Sequence, residues 1–346
     1  MSSSPVCTTP FVCGCRIQPG TTYVLDNSYS CTTDPAVEIT GDGTLFDLNN
    51  FVLTGDAGNP PSAGVGILIS DGLFDVSVYD GKITGYQTGI LGSDLSNGLF
   101  DDLSFSTCEY GIFLSVGQAI TVRSSEFDVG AVSNGGTGII FEKVMDTEII
   151  RNEFVISDTE TSGVVLEDCI DGKISLNNFF FPSTSFDAND PGSESNTGVE
   201  LSVSTKILLE NNCFFGPPGG TILPRTQGIN VDNHELLTGP SGISIEGNSF
   251  QTLDVGVRLE ADEGTNVVSN CFTNTNTAIF LTDQATKVKS RPNGFFNNAV
   301  DIRFGNGSTK KSKPVALKGK YKRNGFCPCK ANKATKAPST SNDYSE

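Results

Sequence analysis

The sequence contains no tryptophan, one histidine and two methionines among its 346 residues. Charged residues make up only 18% of the chain, too few for a coiled coil or a charged disordered polymer. No stretch approaches the roughly 18 consecutive apolar residues of a membrane-spanning helix. Residues 1–18 lack the apolar run of about seven or more residues that marks a secretory signal peptide. The sequence therefore predicts neither a transmembrane segment nor a signal peptide.

Phenylalanine dominates the aromatic residues, with 23 Phe against 7 Tyr. Because a phenyl ring carries no polar group, this choice indicates apolar filling of a core. The net charge of −17 is unevenly distributed, since ten basic residues and no acidic one lie between Lys310 and Lys336. An acidic body with a basic tail predicts that the tail docks on an acidic partner.

Two short motifs recur along the chain, as in a solenoid. In most repeats 16 residues separate a Gly from the following Phe, whereas 6 to 19 residues separate that Phe from the next Gly. One part of each repeat is therefore fixed, and one corner accepts insertions. The Gly motif, in which a β-branched residue follows, occurs at Gly66, Gly89, Gly111, Gly138, Gly163, Gly198, Gly228 and Gly256, and Ala278 continues it. The Phe motif occurs at Phe105, Phe127, Phe154, Phe179, Phe214, Phe250, Phe272 and Phe295.

The fixed part of the repeat has the alternation of short strands. The first and third residues after each Gly are apolar, so they point to one side. No segment shows the longer 3.6-residue period of a helical repeat. Repeats of about 22 residues with short strands, Gly at bends and Asn near corners predict an all-β fold, a single-stranded right-handed parallel β-helix of about ten coils. The repeated Phe residues would then stack as an internal ladder with a spacing of about 4.8 Å.

Residues Ile17–Leu25 and Leu45–Gly55 resemble the entry coils of the pectate-lyase-like right-handed β-helix superfamily. The resemblance covers roughly residues 16–305. It implies the fold and does not fix the function, because that superfamily includes lyases, hydrolases, epimerases, phage tailspikes and capsid-associated proteins. The chain is also similar to β-helical structural proteins of large DNA viruses.

Three segments follow from this interpretation: a Cys-rich N-terminal cap (1–36), the parallel β-helix (37–305) and a Lys-rich, extended C-terminal tail (306–346). Ten cysteines are many for a reducing cytosol. We expect disulfides that lock the ends of the molecule, within or between chains. Metal binding is the alternative for the two Cys-x-Cys pairs, and free thiols are a third. The disulfide candidates are Cys7, Cys13, Cys15, Cys31, Cys327 and Cys329.

Catalytic motifs of the enzymes of this superfamily cannot be matched in the sequence, so we expect no enzyme, no cofactor and no metal. The best acidic pair is Glu142 and Glu167, four residues after successive repeat glycines and stacked in adjacent coils. Such a pair could hydrolyse glycosides or bind calcium, but solvated residues at strand ends are the simpler interpretation. The single histidine, His234, lies in an inserted loop and is expected to be a surface residue.

The position two residues after each repeat Gly points outward and should be polar on a solvated sheet. Instead it is apolar in five consecutive coils, which is typical of a contact surface. The alternative is that the chain's own N-terminal segment or a corner loop covers it. These five residues, called here the apolar stripe, are Leu68, Leu91, Phe113, Ile140 and Val165.

The basic tail is the second candidate contact, with seven cations within fourteen residues. An acidic protein surface, an anionic membrane face or nucleic acid could bind it, or it could be a solubilising disordered terminus. Only two aromatic residues, Tyr321 and Phe326, lie among these cations or directly after them, so base stacking and sequence-specific nucleic-acid binding are not predicted. The cations are Lys310, Lys311, Lys313, Lys318, Lys320, Lys322 and Arg323.

Together these features predict a non-enzymatic structural component of a large assembly, bound to other protein subunits. The role that these features favour most is that of a minor capsid, cement or decoration protein. The predicted location is a virion or an intracellular assembly. A carbohydrate-active lyase or hydrolase, and a glycan- or receptor-binding spike module that uses the corner loops, are the alternatives.

Overall fold

The computed structural model describes residues 4–55, 64–129, 135–157, 161–182, 195–217, 219–233, 241–260, 262–282, 284–290, 292–305 and 309–310. Within these ranges the regular elements are strands, and they form one continuous parallel solenoid of about ten coils. This confirms the predicted right-handed parallel β-helix. The described residues contain no helix that is long and apolar enough to cross a membrane.

Three parallel sheets form the three faces of the solenoid, because each strand pairs with its equivalent in the next coil. Strands β8 (Ser77–Thr84), β10 (Leu99–Ser106), β11 (Tyr110–Arg123) and β13 (Thr137–Ile150) turn a corner and contribute to two faces. The face that carries the repeat glycines contains β1 (Cys15–Ile17), β4 (Val37–Ile39), β7 (Val65–Ile69), β9 (Thr88–Ser96), β11 (Tyr110–Arg123), β13 (Thr137–Ile150), β15 (Ser162–Glu167), β18 (Asn196–Ser202), β21 (Thr226–Asp232), β24 (Val255–Glu260), β27 (Thr277–Leu281) and β29 (Val300–Phe304). The second face adds β2 (Thr22–Val24), β5 (Leu45–Asp47), β8 (Ser77–Thr84), β10 (Leu99–Ser106), β16 (Lys173–Ser175), β19 (Leu208–Glu210), β22 (Ser244–Glu246) and β25 (Asn266–Val268). The third face adds β3 (Tyr29–Ser30), β6 (Val52–Thr54), β12 (Glu126–Val129), β14 (Glu153–Ile156), β17 (Asn178–Phe180), β20 (Cys213–Phe215), β23 (Ser249–Gln251), β26 (Cys271–Thr273) and β28 (Gly294–Phe296).

The predicted Phe ladder fills the interior along the third face. Neighbouring rings from Phe105 to Phe272 lie 4.6 to 4.9 Å apart between centroids and are nearly parallel. The last step, to Phe295, is 5.5 Å. The ring spacing equals the spacing of parallel strands, so every ring stacks on the next without leaving its strand position.

The repeat glycines leave room for this ladder. A Cβ atom built on Gly138 would lie 2.6 Å from the carbonyl oxygen of Gly163 and 2.9 Å from the ring of Phe154. Any larger residue would therefore push the next coil and the ladder ring away. This contact explains why the glycine and the phenylalanine recur at a fixed distance in the sequence.

Asparagine side chains hold one corner of the coils from inside. Each side-chain Oδ1 accepts the backbone N–H of the equivalent residue in the preceding coil, and each Nδ2 donates to a backbone carbonyl. All of them are at most 1% exposed, so they satisfy backbone groups that water cannot reach. The ladder consists of Asn152, Asn177, Asn212, Asn248, Asn270 and Asn293.

The two ends of the solenoid are built differently. At the N-terminal end β1, β2 and β3 pair in parallel with β4, β5 and β6, so the first coil lies within the segment interpreted as the cap. At the C-terminal end β30 (Thr309–Lys310) pairs with β29 in the antiparallel sense.

Candidate functional site

The apolar stripe lies on the outer surface of the glycine-bearing face. Its five residues are direct neighbours in register, from Leu68 through Leu91, Phe113 and Ile140 to Val165. All five are half-exposed, so they form a continuous apolar surface that solvent still reaches in part. The ring of Tyr110 lies 6.2 Å from that of Phe113 and widens the stripe.

Polar residues border the stripe along the column two residues further on. Ser70, Ser93 and Ser115 lie beside its first three positions, and Glu142 and Glu167 beside the last two. An apolar centre with a polar edge is the arrangement found in protein interfaces.

The same outward column becomes polar in the second half of the solenoid. Val165 is followed in register by Glu200, Asn230, Arg258 and Phe280. The last four of these residues, Glu200, Asn230, Arg258 and Phe280, line a groove of about 700 Å³, called here the arginine groove. The solenoid thus presents two chemically different surfaces along a single line of strand positions.

An aromatic ring flanked by two cations forms one wall of the arginine groove. The guanidinium carbons of Arg258 and Arg303 lie 5.5 and 5.4 Å from the centre of the Phe280 ring. Arg258 also forms an ion pair with Glu260. Contacts of this length between a guanidinium and a ring are attractive.

Two carboxamide oxygens in the arginine groove lack a hydrogen-bond donor among the described residues: Oε1 of Gln227 and Oδ1 of Asn230. Gln227 is only 6% exposed. An unpaired buried acceptor is unfavourable unless a ligand or water donates to it. The groove therefore offers acceptors for hydroxyl or amine groups next to an apolar ring.

The candidate acidic pair Glu142 and Glu167 lies in register on adjacent coils, as predicted. Glu142 is half-exposed and Glu167 is exposed. Their Cα atoms are one strand spacing apart, about 4.8 Å. In glycosidases the two carboxyl groups flank the scissile bond. Here both side chains project from the same face of a flat sheet, and neither lines the arginine groove.

A second groove, of about 680 Å³, follows the corner between the second and third faces and is called here the corner groove. Asp80 and Asp102 occupy equivalent positions of adjacent coils within it, beside Lys82 and Arg151. Burial raises the pKa of Asp80, and the nearby carboxylates of Asp47 and Asp102 raise it further. The groove therefore combines carboxylates that repel one another with two cations at its edges.

Sequence reasoning missed the corner groove because its residues lie at bends. Asp80 and Asp102 have positive φ angles of 62° and 54°, and the strand alternation is interrupted at these positions. Asp101 and Asp102 consequently both line the groove, although strand alternation would place them on opposite faces. One signal in the sequence could have revealed this bend. Asp102 lies three residues before the ladder residue Phe105, and Asp is one of the few residues that tolerate a left-handed backbone.

Several sequence-predicted residues lie outside the described part of the chain. These include His234, most of the basic tail (Lys311, Lys313, Lys318, Lys320, Lys322 and Arg323), and the cysteines Cys327 and Cys329. Lys310 ends β30.

The N-terminal cysteines form two disulfides within the chain. Cys7 is bonded to Cys15 and Cys13 to Cys31, with Cα–Cα distances of 4.8 and 5.5 Å. Cys108 and Cys169, by contrast, are buried free thiols, and burial raises the pKa of each to about 11. A thiol with such a pKa is almost entirely protonated at neutral pH and therefore a weak nucleophile.

A family model described as periplasmic copper-binding protein (NosD) matches residues 37–231, more than half of the chain. A search of the curated proteins found no match.

Solved structures confirm the fold. The alginate lyase from Paenibacillus sp. str. FPU-7 is similar over 81% of this chain and 91% of its own, with 14% identity and a TM-score of 0.52. The Streptococcus pneumoniae surface protein and adhesin PfbA is similar over 83% and 90%, with 11% identity and a TM-score of 0.50. At these identities the likeness concerns the fold alone.

Copper in proteins is held by thiolate, thioether or imidazole ligands. Among the described residues, no three His, Cys, Asp or Glu side chains are grouped closely enough to hold a metal ion. Six of the eight described cysteines are in disulfides, and the other two are isolated buried thiols. The described residues thus do not fit a copper centre.

Proposed function

The chain belongs to the family of the periplasmic copper-binding protein NosD, and we propose that it serves as a non-enzymatic structural component of a large assembly. More specifically, we propose that the protein is a minor capsid, cement or decoration protein of a virus particle. The apolar stripe carries the proposal, because five large apolar side chains are lined up and half-exposed on one flat face.

The dimensions of the stripe suit a contact with another protein subunit. Five strand positions at about 4.8 Å cover roughly 20 Å of the rod, about the width of one helix or hairpin of a partner. Binding energy in interfaces concentrates in a few buried apolar and aromatic residues surrounded by polar ones. Phe113, at the centre of the stripe beside Tyr110, is the expected main contact.

The disulfides agree with a location outside a reducing compartment. Disulfides persist in secreted, periplasmic or particle-surface proteins and are rare in the cytosol. Cys7–Cys15 and Cys13–Cys31 lie in the first coil, where an open sheet end needs reinforcement. In a particle these bonds would form after assembly or release.

Fractionation of the native source material by size, with the protein followed by mass spectrometry, tests the proposal. We expect it to migrate with multi-megadalton particles through a high-salt wash, since an apolar contact is insensitive to salt. Recovery as a free chain of 36.6 kDa would overturn the proposal. Turnover of an acidic polysaccharide that is lost in Glu142→Gln and Glu167→Gln would overturn its non-enzymatic part.

The chain offers a matched pair of variants for the same experiment. Phe113 and Phe280 occupy the same outward column, one in the apolar stripe and one in the arginine groove. Phe113→Asp should release the protein from particles, whereas Phe280→Asp should not. Equal behaviour of the two variants would show that the stripe is not the contact.

Glycan binding is a second candidate function, favoured by the unpaired oxygens of Gln227 and Asn230 beside the Phe280 ring. Sugars present hydroxyl donors and an apolar ring face, which match these groups. Binding to a panel of immobilised glycans would test it, with Phe280→Ala and Asn230→Leu expected to lose binding and Phe113→Asp to keep it. A panel without any bound glycan would remove this candidate.

A further inference from the structure

The outward column that contains the apolar stripe has the same order of side chains in both directions from its centre. Phe113 is the middle residue of the stripe, with two aliphatic residues on each side of it. The next residue of the column is a glutamate at both ends, Glu38 before Leu68 and Glu200 after Val165. All of these side chains are half-exposed. The column therefore looks alike when one rod is turned end to end.

A surface with this order is complementary to itself. In a two-fold dimer the same patch of both copies is used, so that residue i meets j and j meets i. We infer that the apolar stripe binds the apolar stripe of a second copy of this chain, with antiparallel rods and the two-fold axis at Phe113. Leu91 then faces Ile140 of the second copy. Leu68 faces Val165 of the second copy. The inference rests on the proposed function in that it names the protein subunit that the stripe contacts.

The polar edge of the stripe supports the antiparallel arrangement. Turning one rod end to end places Glu142 opposite Ser93 of the second copy, and Glu167 opposite Ser70. Glu142 and Glu167 form no ion pair with a described residue. A serine hydroxyl can donate to a carboxylate. Ser70 already donates to Glu38 at 3.3 Å, so Ser93 and Glu142 form the main polar pair across the contact.

Parallel rods would instead place each charge of the column opposite its own counterpart. Glu38 and Glu200 would face themselves, and so would Arg258 and Arg303, because parallel rods overlap along their whole length. Like charges opposite one another are destabilising. Antiparallel rods centred on Phe113 share only the first nine coils of this face, so Arg258 and Arg303 lie outside the contact.

The antiparallel contact contains one pair of like charges at each end, and an arginine offsets it. Glu38 faces Glu200 of the second copy. Nε of Arg16 lies 2.7 Å from Oε2 of Glu38 and forms an ion pair with it. Arg16 is in the coil next to Glu38, about 4.8 Å further along the rod. Its guanidinium is thus placed near both carboxylates, which reduces their repulsion.

The size of the shared face agrees with a dimer. Nine coils lie on this face between β1 and β21. With a coil spacing of about 4.8 Å and five strand residues at about 3.3 Å, the face covers roughly 700 Å² on each copy. Stable protein interfaces bury about 800 Å² on each partner. The apolar stripe is the centre of this area, and serine and glutamate side chains form its edge.

The mass of the purified full-length protein in dilute solution tests the inference. Sedimentation equilibrium should give twice the chain mass of 36.6 kDa. Phe113→Asp places two carboxylates at the axis and should give the mass of one chain. Phe180→Asp is the control, because Phe180 is half-exposed on the third face, outside the contact, and this variant should stay dimeric. A monomeric unchanged protein, or a dimeric Phe113→Asp variant, would overturn the inference.

Cross-linking tests the orientation of the two rods. Leu68→Cys and Val165→Cys, mixed and treated with a short bismaleimide, should be joined to each other, because facing sheets lie about 10 Å apart. Leu68→Cys alone should give no cross-linked dimer, since its two copies lie four coils, about 19 Å, apart along the rods. A dimer cross-linked through Leu68→Cys alone would indicate parallel rods and overturn the inference. The unchanged protein controls for the native thiols.

These measurements can fail independently of the test by size fractionation. A purified dimer that does not migrate with particles would refute the structural role in a large assembly and support the inferred dimer. A purified monomer that does migrate with particles would refute the dimer and support the structural role.

Discussion

The backbone N–H of Asn177 donates a hydrogen bond of 3.0 Å to Oδ1 of Asn212, the equivalent residue of the next coil. Nδ2 of Asn212 donates to the carbonyl oxygen of Ile174 at 2.8 Å. One side chain thus satisfies a backbone donor and a backbone acceptor at a corner where the ladder of strand hydrogen bonds is interrupted. Neither group has access to water, because the corner is buried.

Replacing Asn212 should therefore destabilise the solenoid strongly. Asn212→Ala leaves the N–H of Asn177 buried without the acceptor Oδ1, at a cost on the order of 1–3 kcal/mol, and removes one hydrogen bond to the C=O of Ile174. Urea unfolding followed by circular dichroism would measure it. Asn178→Ala, at a half-exposed neighbouring position, should change the free energy of unfolding by less than about 0.5 kcal/mol. A similar loss of unfolding free energy in Asn212→Ala and Asn178→Ala would contradict the stabilising role of the buried asparagine side chains at the corner.

The Phe ladder gives a second prediction, with its control in the adjacent residue. Phe179→Ala removes a fully buried ring between two stacked neighbours and should lower the free energy of unfolding by about 3–5 kcal/mol. Phe180 points outward and stacks on Phe215 at 5.1 Å, with part of its ring in solvent. Phe180→Ala should therefore lower the free energy of unfolding clearly less than Phe179→Ala does. An equal loss in the two variants would show that the inward Phe ladder is not the main packing element.

The corner groove gives a prediction on pH. Because burial and neighbouring carboxylates raise the pKa of Asp80 in the folded protein, ionisation of this group opposes folding. Its unfavourable contribution is absent below the unfolded pKa, grows as the pH rises from the unfolded towards the folded pKa, and is complete above the folded pKa. Asp80→Asn should therefore raise the urea midpoint at pH 7 and have little effect near pH 3.

Asn keeps both the shape of Asp80 and its tolerance of a left-handed backbone. Asp94→Asn is the matched control, because Asp94 is another corner residue with positive φ, 51°, and is exposed. A gain from Asp80→Asn that persists unchanged at pH 3 would mean that charge is not its cause.

The first coil gives a fourth prediction. The Cys13–Cys31 disulfide closes a loop with a sequence separation of 18 residues, and a loop of this length contributes about 3 kcal/mol in the chain-entropy model. Because coils contact only their neighbours, the double variant Cys13→Ser, Cys31→Ser should loosen the N-terminal coil selectively.

Hydrogen exchange would locate this effect. Amides of β1 and β2 should exchange faster in the double variant, while those of β19 and β20 should not change. Cys108→Ala, which removes a free thiol, should leave the first coil protected. Uniform acceleration along the whole solenoid would contradict the local model of stability.

The sequence predicted the features that depend on local alternation. The glycine and phenylalanine motifs indicated strands and an internal ladder, because each position has one inward direction that repeats in every coil. The asparagines were predicted near corners, but their hydrogen bonds to one another required the register of adjacent coils.

Features that depend on bends or on covering segments could not be predicted in this way. The corner groove is formed at positive-φ residues, where alternation no longer tells which side a residue faces. The exposure of the apolar stripe depends on which distant segments lie over it. Periodicity carries no information on such coverage.

The reversed strand β30 has a consequence for self-association. A stack of parallel coils has no intrinsic length limit, so the free edge of a terminal coil can template the first coil of another molecule and grow into a fibril. In this chain the outer edge of β29 is already occupied, and by a strand of opposite direction. An incoming coil would meet the wrong polarity at this face, so β30 opposes end-to-end growth there.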